Sequence, residues 1–270
     1  MINAGDSTSS GRSEGVSEGL VVTGVKKGLS SMLAATTVGR LLQIISVAAV
    51  SIPVLAYDVV AVPGGGRIEG KVVFQGDVPT KKIIPTKNRE VCGGPRDEPL
   101  ILVGPDKGVE DAVVYLKEVP KGKAWGRPPK PPEIDNVKCR FEPTVQVIQA
   151  GAIDVVNTDP VLHNTHGFYG KRTAFNLALP NQGQRITSQL DRPGLVRVEC
   201  DSHGWMLAWV YVADSPYYAR TAKDGSFSIT DIPPGDYTLV ATQNYAGDTD
   251  IPVTVKANEA AKVSIELKKK

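Results

Sequence analysis

Past residue 56 the chain carries no sustained 3.6-residue period, and apolar and polar positions alternate instead, which is the mark of half-buried strands. RIEGKVVF (67–74) and AVVYL (112–116) read as strands, and the segment between them is broken by Pro and Gly and reads mostly as loop. KGKAWGRPPKPPE (121–133) is basic and Pro-rich, an extended surface connection. From Cys139 the pattern sharpens: Phe141, Val145 and Val147 share one face, Gly151 turns the chain, and Ile153 and Val155 lead toward Asn157. In PGLVRVEC, Val196, Val198 and Cys200 fall on one face with Arg197 and Glu199 on the other, so a strand delivers the Cys200 side chain inward at its very end. LAWVYVA (207–213) predicts the next strand, which places the linking segment CDSHGWM (200–206) at one tip of a β-sandwich. AKDGSFSITDIPPGDYTLVATQ (222–243) is a β-meander with Asp-Gly and Pro-Gly turns, completed by IPVTV and KVSIEL.

Composition narrows the classes. The chain has 270 residues and 28.8 kDa, with 41% hydrophobic and 22% charged residues, as expected of a globular protein of one large or two modest domains. A net charge of +2 implies no broad basic face, so nucleic acid is not an expected partner. Residues 1–31 are rich in Ser, Gly and Glu and read as disordered. Arg40 then precedes an apolar run from Leu41 to Ala56 that ends in the small-residue pattern Val54-Leu55-Ala56. This predicts a secretory signal cleaved after Ala56, with Met32 as the natural start, because the run falls short of the roughly 20 residues that span a bilayer. An uncleaved membrane anchor is the alternative; cleavage leaves no stable span. Residues 1–56 are thus expected to be leader and signal, and the mature protein to be periplasmic or secreted.

Export bears on the cysteines, since oxidising compartments pair them. There are three, and Cys200 sits among metal-ligand residues, so Cys92 and Cys139 are the candidate disulfide; two buried free thiols are the alternative. Cys200, His203 and Met206 are spaced three apart, and a thiolate, two imidazoles and a weak thioether form the set copper uses for electron transfer. The second imidazole has to come from DPVLHNTHGF, which holds the other two histidines, His163 and His166. Taken singly, a cysteine at a strand end is a small core residue, a methionine is packing and a loop histidine is exposed. Their joint occurrence at this spacing favours a metal. Zinc is the weaker candidate because it rarely accepts Met. Trp209 reads as core packing.

FEPTVQVIQAGAIDVVNTDPVLHN followed by CDSHGWM resembles the cupredoxins, the type 1 blue copper proteins, and the short Cys-x-x-His-x-x-Met loop is most similar to that of amicyanin. More narrowly, residues 175–237 are similar to a group of exported, plastocyanin-like bacterial proteins that join a cupredoxin to a carboxypeptidase-regulatory-like, transthyretin-type β-sandwich. The resemblance implies an all-β fold: N-terminal strands and a Pro-rich loop at 57–134, a Greek-key cupredoxin core at 135–214, and the second sandwich at 215–270. That last segment is short of strands, and its missing edge falls to 66–74 or 207–213. The resemblance implies one copper ion held by His163, Cys200 and His203 with Met206 axial, His163 being chosen by the His-Asn pair it forms with Asn164. Asn164 would hold the ligand loop by hydrogen bonds, and His203, its edge open to solvent among Pro160, Trp205 and Leu207, would be the electron port. His166 has no place in that pattern. Ser202 and Gly204 depart from it, standing where bulkier residues or Pro are the rule. The function implied is a one-electron carrier with a periplasmic redox partner. A copper storage or delivery module and a structural or carbohydrate-binding sandwich are the alternatives. An enzyme is not expected, since multicopper enzymes need more than three histidines.

Overall fold

A computed structural model describes residues 57–269. The expectations for the leader and signal lie outside these residues. Among the described residues no helix is long and apolar enough to cross a membrane.

The all-β expectation holds: apart from one helical turn, α1 (Arg89–Cys92), and a 3-10 turn, the regular structure is strand. In chain order the first strands are β1 (Asp58–Val59), β2 (Gly66–Phe74), β3 (Thr80–Ile83), β4 (Arg96–Pro99), β5 (Val113–Leu116) and β6 (Lys121–Gly122). Then come β7 (Glu133–Val137), β8 (Arg140–Glu142), β9 (Val145–Gln149), β10 (Gly151–Asn157), β11 (His163–Tyr169), β12 (Arg172–Leu179) and β13 (Gln184–Leu190). The last are β14 (Gly194–Cys200), β15 (Leu207–Ala213), β16 (Tyr218–Arg220), β17 (Ser226–Ile232), β18 (Gly235–Gln243), β19 (Gly247–Val255) and β20 (Ala260–Leu267).

Two β-sandwiches result. One faces the sheet β13-β10-β7-β8 against β12-β11-β14-β15-β9. Its core runs between Ile134, Ile153, Val155 and Leu190 on one side and Val196, Val198, Ala208 and Val210 on the other. The other sandwich faces β16-β5-β18-β19 against β17-β2-β20 around Ile68, Val72, Val114, Leu116, Leu239 and Ile265. Here β2 lies between β17 and β20, pairing in parallel with the latter, and β5 lies between β16 and β18. The chain therefore begins this sandwich with β2 and β5, leaves to build the other, and returns to finish it with β16–β20.

Register brings the candidate ligands together. β11 and β14 are antiparallel with Thr165 opposite Cys200, so the first residues of β11 lie beside the last residue of β14. The pleat then sorts the histidines: along β11 the residues alternate inward and outward, with His163 and Thr165 buried and Asn164 and His166 on the other face. Asn136 on β7 ties the two sheets beneath this tip, its amide donating to Val156 O at 2.7 Å and Thr165 Oγ1 at 3.1 Å. The loop after β10 is fixed by Asn157, whose amide donates to the carbonyls of Val161 and Leu179 and whose Oδ1 accepts from Asp159 N–H.

Candidate metal centre

His163, Cys200 and His203 converge at this tip. Cys200 Sγ lies 3.7 Å from His163 Nδ1 and 3.7 Å from His203 Nδ1, and the two nitrogens are 3.1 Å apart. A point equidistant from three atoms so separated is about 2 Å from each, which suits metal–imidazole bonds of ~2.0 Å and falls just short of metal–thiolate bonds of ~2.3 Å. The three residues are at most 1% exposed. Met206, 3% exposed, belongs to the same core, and its N–H donates to His203 O at 2.9 Å while His203 N–H donates to Cys200 O at 3.2 Å. These bonds make 200–206 a tight turn that returns the chain to β15.

Each imidazole is held by its far nitrogen. His163 Nε2 donates to Asp159 Oδ2 at 2.9 Å, and His203 Nε2 donates to Asn88 Oδ1 at 3.1 Å. With the proton on Nε2, the lone pair of each Nδ1 points at the sulfur, which is the tautomer a metal needs. Asp159 is fixed in turn. Its Oδ1 accepts Lys138 N–H at 2.6 Å and its Oδ2 accepts Cys139 N–H at 2.8 Å, both from the two-residue β7–β8 turn, where residues 138 and 139 have φ of 50° and 54°. Asn88 precedes α1 in a left-handed conformation, φ 51°, and α1 ends at Cys92, which is disulfide-bonded to Cys139.

Electrostatics agree with a site that stays neutral until an ion enters. Burial pushes the Cys200 thiol pKa up, opposed by N–H groups that include that of Asn164, 3.4 Å from Sγ. Burial lowers the pKa of His163, and burial together with the neighbouring His163 lowers that of His203 to about 4. A soft cation bound here would replace the thiol proton and satisfy three buried donors at once.

His166 does not join this cluster. It lies on the outer face of β11, with Nδ1 3.2 Å from the Asp201 carboxylate and Nε2 3.0 Å from Thr173 Oγ1. Asn164 joins the loop to its neighbour: its carbonyl accepts Asp201 N–H and its Nδ2 donates to Asn176 Oδ1 at 2.8 Å. One expectation needs correction. His203 does not show an edge to solvent; it is 0% exposed, because Asn88 and the turn of α1 cover its Nε2 side. Trp205 is half-buried, 5.1 Å ring to ring from His203, with its Nε1–H on Cys139 O, and Leu162 and Leu207 are the exposed apolar side chains flanking the ligands. Sequence reasoning missed Asp159 and Asn88. Asp159 stands four residues before His163 in the same loop and was open to suspicion as its orienter, whereas nothing local marks Asn88.

Comparison with known proteins gives partial matches. A family model described as "Polysaccharide lyase family 4, domain II" matches residues 196–263. A search of curated proteins found no match. Among solved structures, a purple cupredoxin from Nitrosopumilus maritimus is similar at 22% identity, covering 30% of this chain and 99% of its own, with a TM-score of 0.27. Amicyanin from Paracoccus versutus is similar at 19% identity over 32% of this chain and 85% of its own, TM-score 0.29. A Cu-containing nitrite reductase from Thermus scotoductus is similar at 21% identity over 34% of this chain and 25% of its own, TM-score 0.28. The case for a metal rests on the three ligand atoms themselves.

Proposed function

We propose that this chain is an exported type 1 copper protein that carries one electron at a time and is not an enzyme. The observation that supports this best is the triangle of His163 Nδ1, His203 Nδ1 and Cys200 Sγ, with sides of 3.1, 3.7 and 3.7 Å and room for one ion about 2 Å from each corner. Two imidazoles, one thiolate and a buried thioether at Met206 favour copper over zinc. Bound copper supplies the one-electron couple. The protein supplies the rest: Asp159 and Asn88 fix both imidazoles, Asn164 N–H steadies the Cys200 thiolate, and burial keeps water away. Ligands held from behind in this way move little when the charge at the centre changes, and that suits fast electron exchange. The electron leaves through His203 and the half-buried Trp205, and the exposed Leu162 and Leu207 form the apolar rim on which a periplasmic redox partner docks.

Aerobic addition of Cu(II) tests this. Intense visible thiolate-to-copper absorption with a narrow EPR hyperfine splitting, followed by reversible voltammetry, is the expected result. A colourless complex removes the carrier reading. The burial of His203 favours a second reading, in which the same site stores or delivers copper without turnover. Irreversible voltammetry on a blue protein would select it.

A further inference from the structure

The disulfide lies against the metal triad. Cys92, Cys139 and His203 are all buried, and each presents a ligand atom within 4.8 Å of the other two. The same cysteines brace both histidines of the first triad. Cys139 N–H holds Asp159, which holds His163; Cys92 closes the turn that begins beside Asn88, which holds His203. Arg96 is tied to the same turn: its Nη1 donates to Cys92 O at 3.2 Å and its Nε to Glu98 Oε1 at 2.6 Å, while its Nη2 is buried without a partner. Nothing in the electron-carrier reading uses the sulfurs of this pair.

We propose that Cys92, Cys139 and His203 form a second soft-metal site, latent in the disulfide and opened by its two-electron reduction, that takes up Cu(I). A dithiol reductant breaks the S–S bond by exchange. It is oxidised to its own disulfide and hands over two electrons and two protons, leaving two thiols on the protein. Cu(I) then displaces both thiol protons and is held by two thiolates and one neutral imidazole, a soft donor set matched to a soft ion. Two thiolates sharing one ion at ~2.3 Å bonds stand at most ~4.6 Å apart, within reach of side chains whose Cα atoms are 4.9 Å apart. Gly93 and Gly94, which follow Cys92 directly, are exposed with open space beside them, so Cys92 lies next to solvent along the chain. Since His203 belongs to both triads, an ion in the second draws on a ligand of the first. The redox state of the pair thereby decides how firmly the first site is held.

The test uses the full chain carrying Cys200→Ser and His163→Ala, which removes the thiolate and one imidazole of the first site, leaves His203 in place and makes the result independent of the electron-carrier reading. The oxidised variant and the variant reduced with dithiothreitol and desalted under argon are titrated with Cu(I) in competition with bicinchoninate. Far-UV circular dichroism is recorded in parallel. The expected result is one Cu(I) taken up by the reduced form and none by the oxidised form, with the β-spectrum kept. Adding His203→Ala should weaken uptake by at least tenfold, because unfolded thiols would not depend on that imidazole. No uptake on reduction, uptake indifferent to His203, or loss of the β-spectrum on reduction would each overturn the proposal.

Discussion

Asp159 is the residue on which the geometry of the centre depends most, and replacing it gives a quantitative test. One buried carboxylate, 4% exposed, accepts three donors, Lys138 N–H, Cys139 N–H and His163 Nε2–H, at 2.6, 2.8 and 2.9 Å. Asp159→Ala frees His163 to rotate and to take the other tautomer, which puts a proton on the nitrogen that faces the metal. Loss of such an orienting group costs about 10–100-fold in metal affinity, or about 1.4–2.7 kcal/mol. The metal-free protein should lose about 1–3 kcal/mol as well, because Cys139 N–H is left buried and unpaired, while the N–H of the exposed Lys138 can turn to water. Asp159→Asn separates the two effects. Its single oxygen can serve one end of the donor set while its NH2 faces the other, so it should recover part of the stability and little of the affinity. Competition titration measures the affinity and chemical denaturation the stability. Affinity within twofold of wild type in Asp159→Ala would refute the claim that Asp159 sets the imidazole.

Asn88→Gly keeps a residue that tolerates φ 51° while removing the acceptor on His203 Nε2, so metal affinity should fall about tenfold with little loss of fold stability; equal affinity would mean that Asn88 only covers the site. Met206→Leu is close in volume and should cost under about 1.5 kcal/mol, while shifting the reduction potential of the copper form; an unchanged potential in voltammetry would remove Met206 from the ligands. The metal-free protein should lose stability as pH falls. His203 is held to about 4 in the folded state against 6.5 when unfolded, so the unfolded chain binds a proton across that window that the folded chain refuses. Thermal denaturation should therefore show the wild type losing ground to His203→Gln between about pH 6.5 and 4, and a constant difference would contradict the burial argument.

Alternation made the sandwich sheets legible, because β11 and β14 each bury one face, and the period of two also predicts which of His163 and His166 points inward. The tight spacing of Cys200, His203 and Met206 exposed half of the site, since the whole turn is encoded within seven residues. What escaped was non-local. That 66–74 joins the last sandwich is one of the two expected sources of its missing edge, but its parallel register with β20 and its place between β17 and β20 join distant parts of the described chain and no local pattern specifies them. Asn88 reaches His203 only because α1 is stapled to the β7–β8 turn, and that cover, which closes the expected solvent edge of His203, has no trace near residue 203. Asp159 lay in plain view, but a carboxylate after a strand reads as an ordinary turn residue until the backbone N–H groups it accepts are known.

X-ray absorption at the copper edge of the loaded protein tests the central claim most directly. Nearest neighbours of two imidazole nitrogens and one thiolate sulfur are expected, with the sulfur lost in Cys200→Ser and one nitrogen lost in His163→Ala. A spectrum without sulfur, or one in which His166→Ala removes the nitrogen that His163→Ala leaves in place, would contradict it.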